Sequence, residues 1–168
     1  MKTPIRVALV KDSQLSESVV DGLGAIRDSH RDHVAADVRA SFGDSLDIDE
    51  AFRVGHDTEH RWDYLLGHSP SGRVVGLEPH SALDKEVKHV IKKRARSLEH
   101  LSGQLKPGVR VSHWYWVASG KVDFTAHEKT TLALFQAGIT FVGKQLLVKA
   151  LPAKAVGTAT KGKSKKKR

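Results

Sequence analysis

The sequence predicts an α/β fold: a central mixed sheet holding an antiparallel three-strand meander, flanked by helices, with a β-β-α-β extension at its C-terminal end. Three observations carry this reading. Helical spacing of apolar residues over Leu15–Phe42 and again over Ser81–Leu101 brackets a stretch in which the period drops to two. Within that stretch the apolar runs are separated by short turns, too short for the crossover that parallel neighbours require. No G-x-G-x-x-G or Walker sequence follows any strand-like run, so nucleotide-cofactor and P-loop classes lose their main support.

Ile5–Val10 (IRVALV) reads as a short strand. Leu15, Val19, Leu23, Ile26, Val34, Val38 and Phe42 then recur by threes and fours or their multiples, which predicts one long helix with Ser13 as N-cap and Gly43 as its stop. His30 and His33 have the i,i+3 spacing of a metal pair, but no third ligand lies near them in sequence, so the helix is read as a cover for the core. Ala51–Gly55, His60–Leu66 and Arg73–Glu78 read as the three strands of the meander. The last two are joined across Ser69-Pro70-Ser71-Gly72, where Pro presets φ and Gly relieves strain.

Ser81-Ala82-Leu83-Asp84 resembles a capping box and opens a helix to Leu101, with Leu83, Val87, Val90, Ile91, Leu98 and Leu101 as its apolar stripe. The basic run Lys92–Arg96 reads as a solvated face, although Arg94 falls inside the stripe. Val109–Ser119 is the most β-prone segment. Trp114, Tyr115 and Trp116 alternate faces along it and so suit core packing better than a stacking platform. Ser119-Gly120 turns the chain into a strand Lys121–Phe124, and the capping box Thr125–Glu128 opens a helix to Ala137 that Gly138 ends. Ile139–Val142 reads as a further strand, which Gln145–Val148 extends or pairs with.

The chain has 168 residues, 39% hydrophobic and 28% charged, a balance that suits one globular domain over residues 1–152 and a disordered Lys-rich tail over 153–168. Seven of its 28 basic residues fall in 154–168 with no acid among them, so residues 1–153 hold 21 basic against 19 acidic residues, a balance of only +2 within the overall +9. Affinity for a polyanion is therefore expected from the tail, through Lys161, Lys163, Lys165, Lys166, Lys167 and Arg168. No apolar run reaches the roughly 18–20 residues of a membrane-spanning helix, and Met1–Val10 lacks the apolar core of a signal peptide. The absence of cysteine excludes disulfides, a thiol nucleophile and Cys-ligated metals; with no membrane segment, a cytoplasmic location is expected.

Alternation decides which polar side chains can meet. Arg61, Asp63 and Leu65 share one strand face, and Val74, Gly76, Glu78 and His80 share another. A hairpin through Pro70–Gly72 brings Asp63 near Glu78 or His80. Both carboxylates interrupt apolar strands, which costs free energy unless a cation or hydrogen-bond donors compensate them. Two carboxylates on adjacent strands, with a basic group two residues after one of them, suit a divalent-metal site beside a proton handler.

In this helix–strand–strand–strand–helix–strand order, with Asp63 in the middle strand and Glu78-Pro79-His80 fifteen residues later, the sequence resembles the PD-(D/E)XK, or restriction-endonuclease-like, superfamily over about residues 14–118. The resemblance implies that Asp63 and Glu78 bind Mg²⁺ (or Mn²⁺) and that His80 takes the place of the family's lysine, which orients or activates water for phosphodiester hydrolysis. Relatives can supply that lysine from the following helix. Measured from Ser81 at about 1.5 Å per residue, however, Lys93 lies roughly 18 Å away, and Lys85 points away from the apolar stripe, so neither is expected to replace it. The expected function is a metal-dependent nuclease acting on DNA or RNA. The rivals are a non-catalytic nucleic-acid-binding protein on the same fold, and a protein-interaction or self-associating domain anchored by Trp114 or Trp116.

Overall fold

The computed structural model describes residues 2–122 and 128–156. A six-stranded sheet in the order β1-β2-β3-β4-β5-β6 forms its centre: β1 (Val20–Asp21), β2 (Phe42–Asp47), β3 (Tyr64–His68), β4 (Arg73–Ala82), β5 (His113–Val122) and β6 (Ile139–Phe141). The pairs β1/β2, β2/β3 and β3/β4 are antiparallel, whereas β4/β5 and β5/β6 are parallel. The helices are α1 (Pro4–Ala8), α2 (Asp28–Arg31), α3 (Ile48–Ala51), α4 (Val87–Leu101) and α5 (Glu128–Gln136). A parallel pair needs a crossover, and α4 supplies it between β4 and β5, as α5 does between β5 and β6.

The expected α/β class and mixed sheet are both present. The hairpin across Ser69–Gly72 forms, antiparallel as expected, with Tyr64 opposite Leu77, Leu66 opposite Val75 and His68 opposite Arg73. Gly72 takes the left-handed conformation (φ +68°) that the turn requires. Alternation then divides the core. Leu65, Val74, Trp114 and Trp116 face one side with Val87, Val90 and Leu101 of α4. Tyr64, Leu66, Val75, Leu77, Tyr115 and Val117 face the other, under Ile26, Val34, Val38 and Leu146. All three aromatics of β5 are buried, so none is available as a surface anchor.

Several elements differ from the sequence reading, each for an identifiable reason. The long helix over Leu15–Phe42 is absent. Gly22 sits at φ +57°, and the segment is made of turns, a 3₁₀ turn Ser16–Ser18, the short edge strand β1, the short α2 and a 3₁₀ stretch Ala36–Ser41. Its apolar residues keep helix-like spacing because each turn drops one of them onto the sheet. Ile5–Val10 is not a strand: α1 starts with Pro4 in its first turn, and the buried Asp44 carboxylate accepts from the N–H groups of Ile5 (3.1 Å) and Arg6 (3.1 Å).

The first strand of the meander is β2, not Ala51–Gly55, which holds the end of α3 and an irregular loop. α3 is capped by Asp47, whose Oδ1 accepts from Glu50 N–H at 2.8 Å. The helix expected from Ser81 starts only at Val87, because β4 continues to Ala82, which pairs with Val122 of β5. Strand β5 runs on through Gly120 to Val122, so no turn occurs at Ser119-Gly120. Gln145–Val148 forms no strand; Leu146 makes one isolated bridge to Val34. Gly138 follows α5 at φ +71°, as a helix stop should. The capping residues Thr125–His127 and the tail cations from Lys161 to Arg168 lie outside the described residues.

Candidate functional site

Extending the β3/β4 register by one residue sets Asp63 opposite Glu78, and the Asp63 N–H donates to Glu78 Oε2 at 2.8 Å. Glu78 is fully buried, while the Asp63 side chain keeps 23% of its surface. A buried carboxylate needs a cation or several donors. The cation is Lys93 of α4, whose Nζ donates to Glu78 Oε1 and stands 3.6 Å from Asp63 Oδ1. Lys93 is itself 8% exposed, so Lys92–Arg96 is not uniformly a solvated face. The sequence placed this ammonium too far away because it started the helix at Ser81. The helix begins six residues before Lys93, about 9 Å along its axis, and runs back over the sheet that β4 has just climbed.

Neighbouring contacts fix the three groups. Ser97, one turn after Lys93 on α4, accepts from Trp62 N–H (2.8 Å) and donates to Lys93 O (2.9 Å), which ties the strand leading to Asp63 onto the helix. Beneath them Gly76 admits two indoles: a Cβ there would stand 2.6 Å from Trp114 Cε3 and 3.1 Å from Trp62 Nε1. Arg94, the charge in the apolar stripe, lies over the Trp114 ring at 5.6 Å.

Electrostatics follow from this packing. Burial pushes the Glu78 carboxyl up, to about 8, against the pull of Lys93 and helped by the Asp63 charge. Burial pulls the Lys93 ammonium down, but Glu78 and Asp63 outweigh it and the net direction is upward. Lys93 thus stays charged, and the cluster carries one carboxylate more than it has cations whenever Glu78 ionises.

His80, the residue expected in the lysine's place, sits at the rim. Its Nδ1 is 3.8 Å from Glu78 Oε1, while its Nε2 bonds Glu86 Oε2 at 3.0 Å, and its ring is 5.4 Å from that of His89. His80, Glu86 and His89 form one group able to hold a metal ion, and His56, Glu59 and His100 form a second. Neither group was read from the sequence: the first forms only because β4 runs on past His80 into α4, and the second joins loop 52–63 to α4, which no periodic spacing links. His30 and His33 do not join a metal group among the described residues; His30 Nδ1 pairs with the Tyr64 hydroxyl at 2.7 Å.

Asp63 and Glu78 offer hard oxygen donors that converge on a single positive charge, the Lys93 ammonium. Of the three groups only Asp63 keeps appreciable exposure, 23% of its side chain. Carboxylates are donors of the kind that hard divalent cations take, and in this structure the Lys93 ammonium occupies the point where the two meet. No protein-family model matches the chain, and neither curated proteins nor solved structures provide a match. No helix among the described residues is long and apolar enough to cross a membrane.

Proposed function

We propose that this chain is a divalent-metal-dependent nuclease of restriction-endonuclease-like fold, acting on DNA or RNA phosphodiesters. Asp63 and Glu78 would be its metal ligands, with Lys93 in the role the sequence reading gave to His80. One observation carries the reading: an ammonium from the crossover helix reaches both Glu78 of β4 and Asp63, the residue that leads into the antiparallel β3. Two carboxylates at one ammonium repel each other, and a divalent cation relieves that repulsion better than a single positive charge does.

A bound Mg²⁺ or Mn²⁺ supplies charge neutralisation at the phosphate and lowers the pKa of a coordinated water. The chain's own groups do the rest. Glu78, sealed and held by Asp63 N–H, is the fixed ligand, and Asp63 is the ligand that meets solvent. Lys93, freed of part of its pairing, directs its N–H donors toward the attacking water oxygen or the non-bridging phosphate oxygens. His80, already engaged by Glu86, is left to tune the rim. The tail cations Lys161, Lys163, Lys165, Lys166, Lys167 and Arg168 would hold the polymer without reading its sequence.

The test is cleavage of labelled single- and double-stranded DNA and RNA in Mg²⁺ or Mn²⁺ by the wild type, Asp63→Asn and Lys93→Met. Cleavage by the wild type and its loss in both variants is the expected result, with His80→Ala changing turnover less than Lys93→Met. Failure of the wild type to cut any of the four polymers leaves a binding scaffold, the reading favoured if Glu78 never exchanges Lys93 for a metal.

A further inference from the structure

We propose that His56, Glu59 and His100 form a separate transition-metal site, of the class that takes Zn²⁺, which clamps the loop leading to Asp63 onto helix α4. The three ligand atoms already converge. Glu59 Oε2 lies 2.6 Å from His100 Nε2 and 3.5 Å from His56 Nδ1, and all three ligand atoms fall within 4.8 Å of one another. With metal–ligand bonds near 2.0–2.1 Å, a tetrahedral ion spaces its ligands by about 3.3 Å. Only sub-ångström to roughly 1.5 Å adjustments are therefore needed, within reach of side-chain rotation.

The two imidazoles are borderline donors and the carboxylate a hard one, a mixed set common at Zn²⁺. They favour Zn²⁺ over Mg²⁺ or Ca²⁺, and a fourth position is left to water. The side-chain exposures, 44% at His56, 31% at Glu59 and 14% at His100, leave a path for an ion to enter.

The surroundings resemble a site that is already oriented. The His100 ring stacks on Phe52 at 5.0 Å and meets the His56 ring edge-on at 4.7 Å. Arg61 Nη1 stands 3.8 Å from the same Glu59 Oε2 and draws that carboxylate toward the loop. Arg61 is 2% exposed and also donates to the carbonyls of His56 (3.1 Å) and Asp49 (3.3 Å). Such partners around the ligands hold their orientation. The segment between α3 and β3 has no regular structure of its own, and its last residue is Asp63. His100 stands seven residues beyond Lys93 on α4, about 10 Å along the axis, so this ion would be distinct from one held by Asp63 and Glu78. The His80–Glu86–His89 group, in contrast, abuts Glu78 and belongs to the surroundings of the candidate site.

The experiment uses the full chain stripped with chelator, then titrated with Zn²⁺ for bound stoichiometry and thermal melting. Co²⁺ serves as a second probe, for the visible ligand-field bands of a low-symmetry tetrahedral site. The wild type should bind the ion, melt at higher temperature with it and show the bands. His56→Ala, at an exposed position, and Glu59→Gln should each lose one equivalent and the bands. His89→Ala and Asp63→Asn should keep both, which separates this site from its neighbour and from the nuclease reading. Wild-type protein that takes up no Zn²⁺, uptake that persists unchanged in His56→Ala, or loss confined to His89→Ala would each overturn the proposal.

Discussion

Replacing Glu78 by Gln should flatten a pH dependence that the buried carboxyl imposes on folding. Its ordinary value of 4.5 rises to about 8 in the folded chain, so the native state holds this proton more tightly than the unfolded state does. The stability it contributes is fully present below about 4.5 and is lost as pH rises through about 8. At roughly 1.4 kcal/mol per tenfold difference in proton affinity, the span is ~5 kcal/mol at most, and relaxation around Lys93 reduces it to a few. Glu78→Gln keeps an oxygen for the Asp63 N–H but has no charge to bury. Urea unfolding followed by tryptophan fluorescence, with chelator present, at several pH values between about 5 and 8 gives the difference between the two proteins. Burial lowers the pKa of His30, His68 and His113, and these titrate alike in both proteins and cancel. Wild type should lose stability relative to the variant by a few kcal/mol across this range. A difference that stays flat, or that grows in favour of the wild type as pH rises, would refute the burial argument.

Three further outcomes follow from the same contacts. Lys93→Met leaves two carboxylates facing one another and should destabilise the chain by about 3–5 kcal/mol near pH 8 and less near pH 5, where Glu78 takes a proton; chemical denaturation at the two pH values checks it. Gly76→Ala sets a methyl group against the Trp114 and Trp62 rings and should cost about 1–3 kcal/mol in the same assay, while Gly72→Ala, which meets nothing, should cost only the strain of its turn. Deleting 157–168 should leave the melting temperature unchanged, and any polyanion affinity should lose up to roughly five from its log–log salt slope, since six cations go with the segment.

What the sequence made legible was short-range. The turn at Ser69–Gly72 fixes the β3/β4 pairing, and period-two alternation on each side then forces Asp63 and Glu78 onto one face. Their juxtaposition therefore follows from local rules alone. Lys93 was missed because its place depends on where β4 ends, and that is decided by pairing with β5 more than thirty residues later. The Leu15–Phe42 segment misled for a related reason: residues that dip in turn onto a sheet imitate helical spacing, and only Gly22 and Gly24 marked the breaks. The pairing of His56 and Glu59 with His100 joins an aperiodic loop to a helix forty residues on, a distance over which spacing carries no signal.

The proposed nuclease requires Asp63 and Glu78 to hold a divalent ion beside Lys93. Diffraction from crystals soaked in Mn²⁺, with the anomalous signal used to locate the ion, tests it most directly. The expected result is a peak about 2.0–2.3 Å from carboxylate oxygens of both Asp63 and Glu78, with the Lys93 ammonium displaced from Glu78 Oε1, and no such peak in Asp63→Asn. Crystals in which Lys93 keeps its contact with Glu78 and Mn²⁺ is absent from this cluster would contradict it.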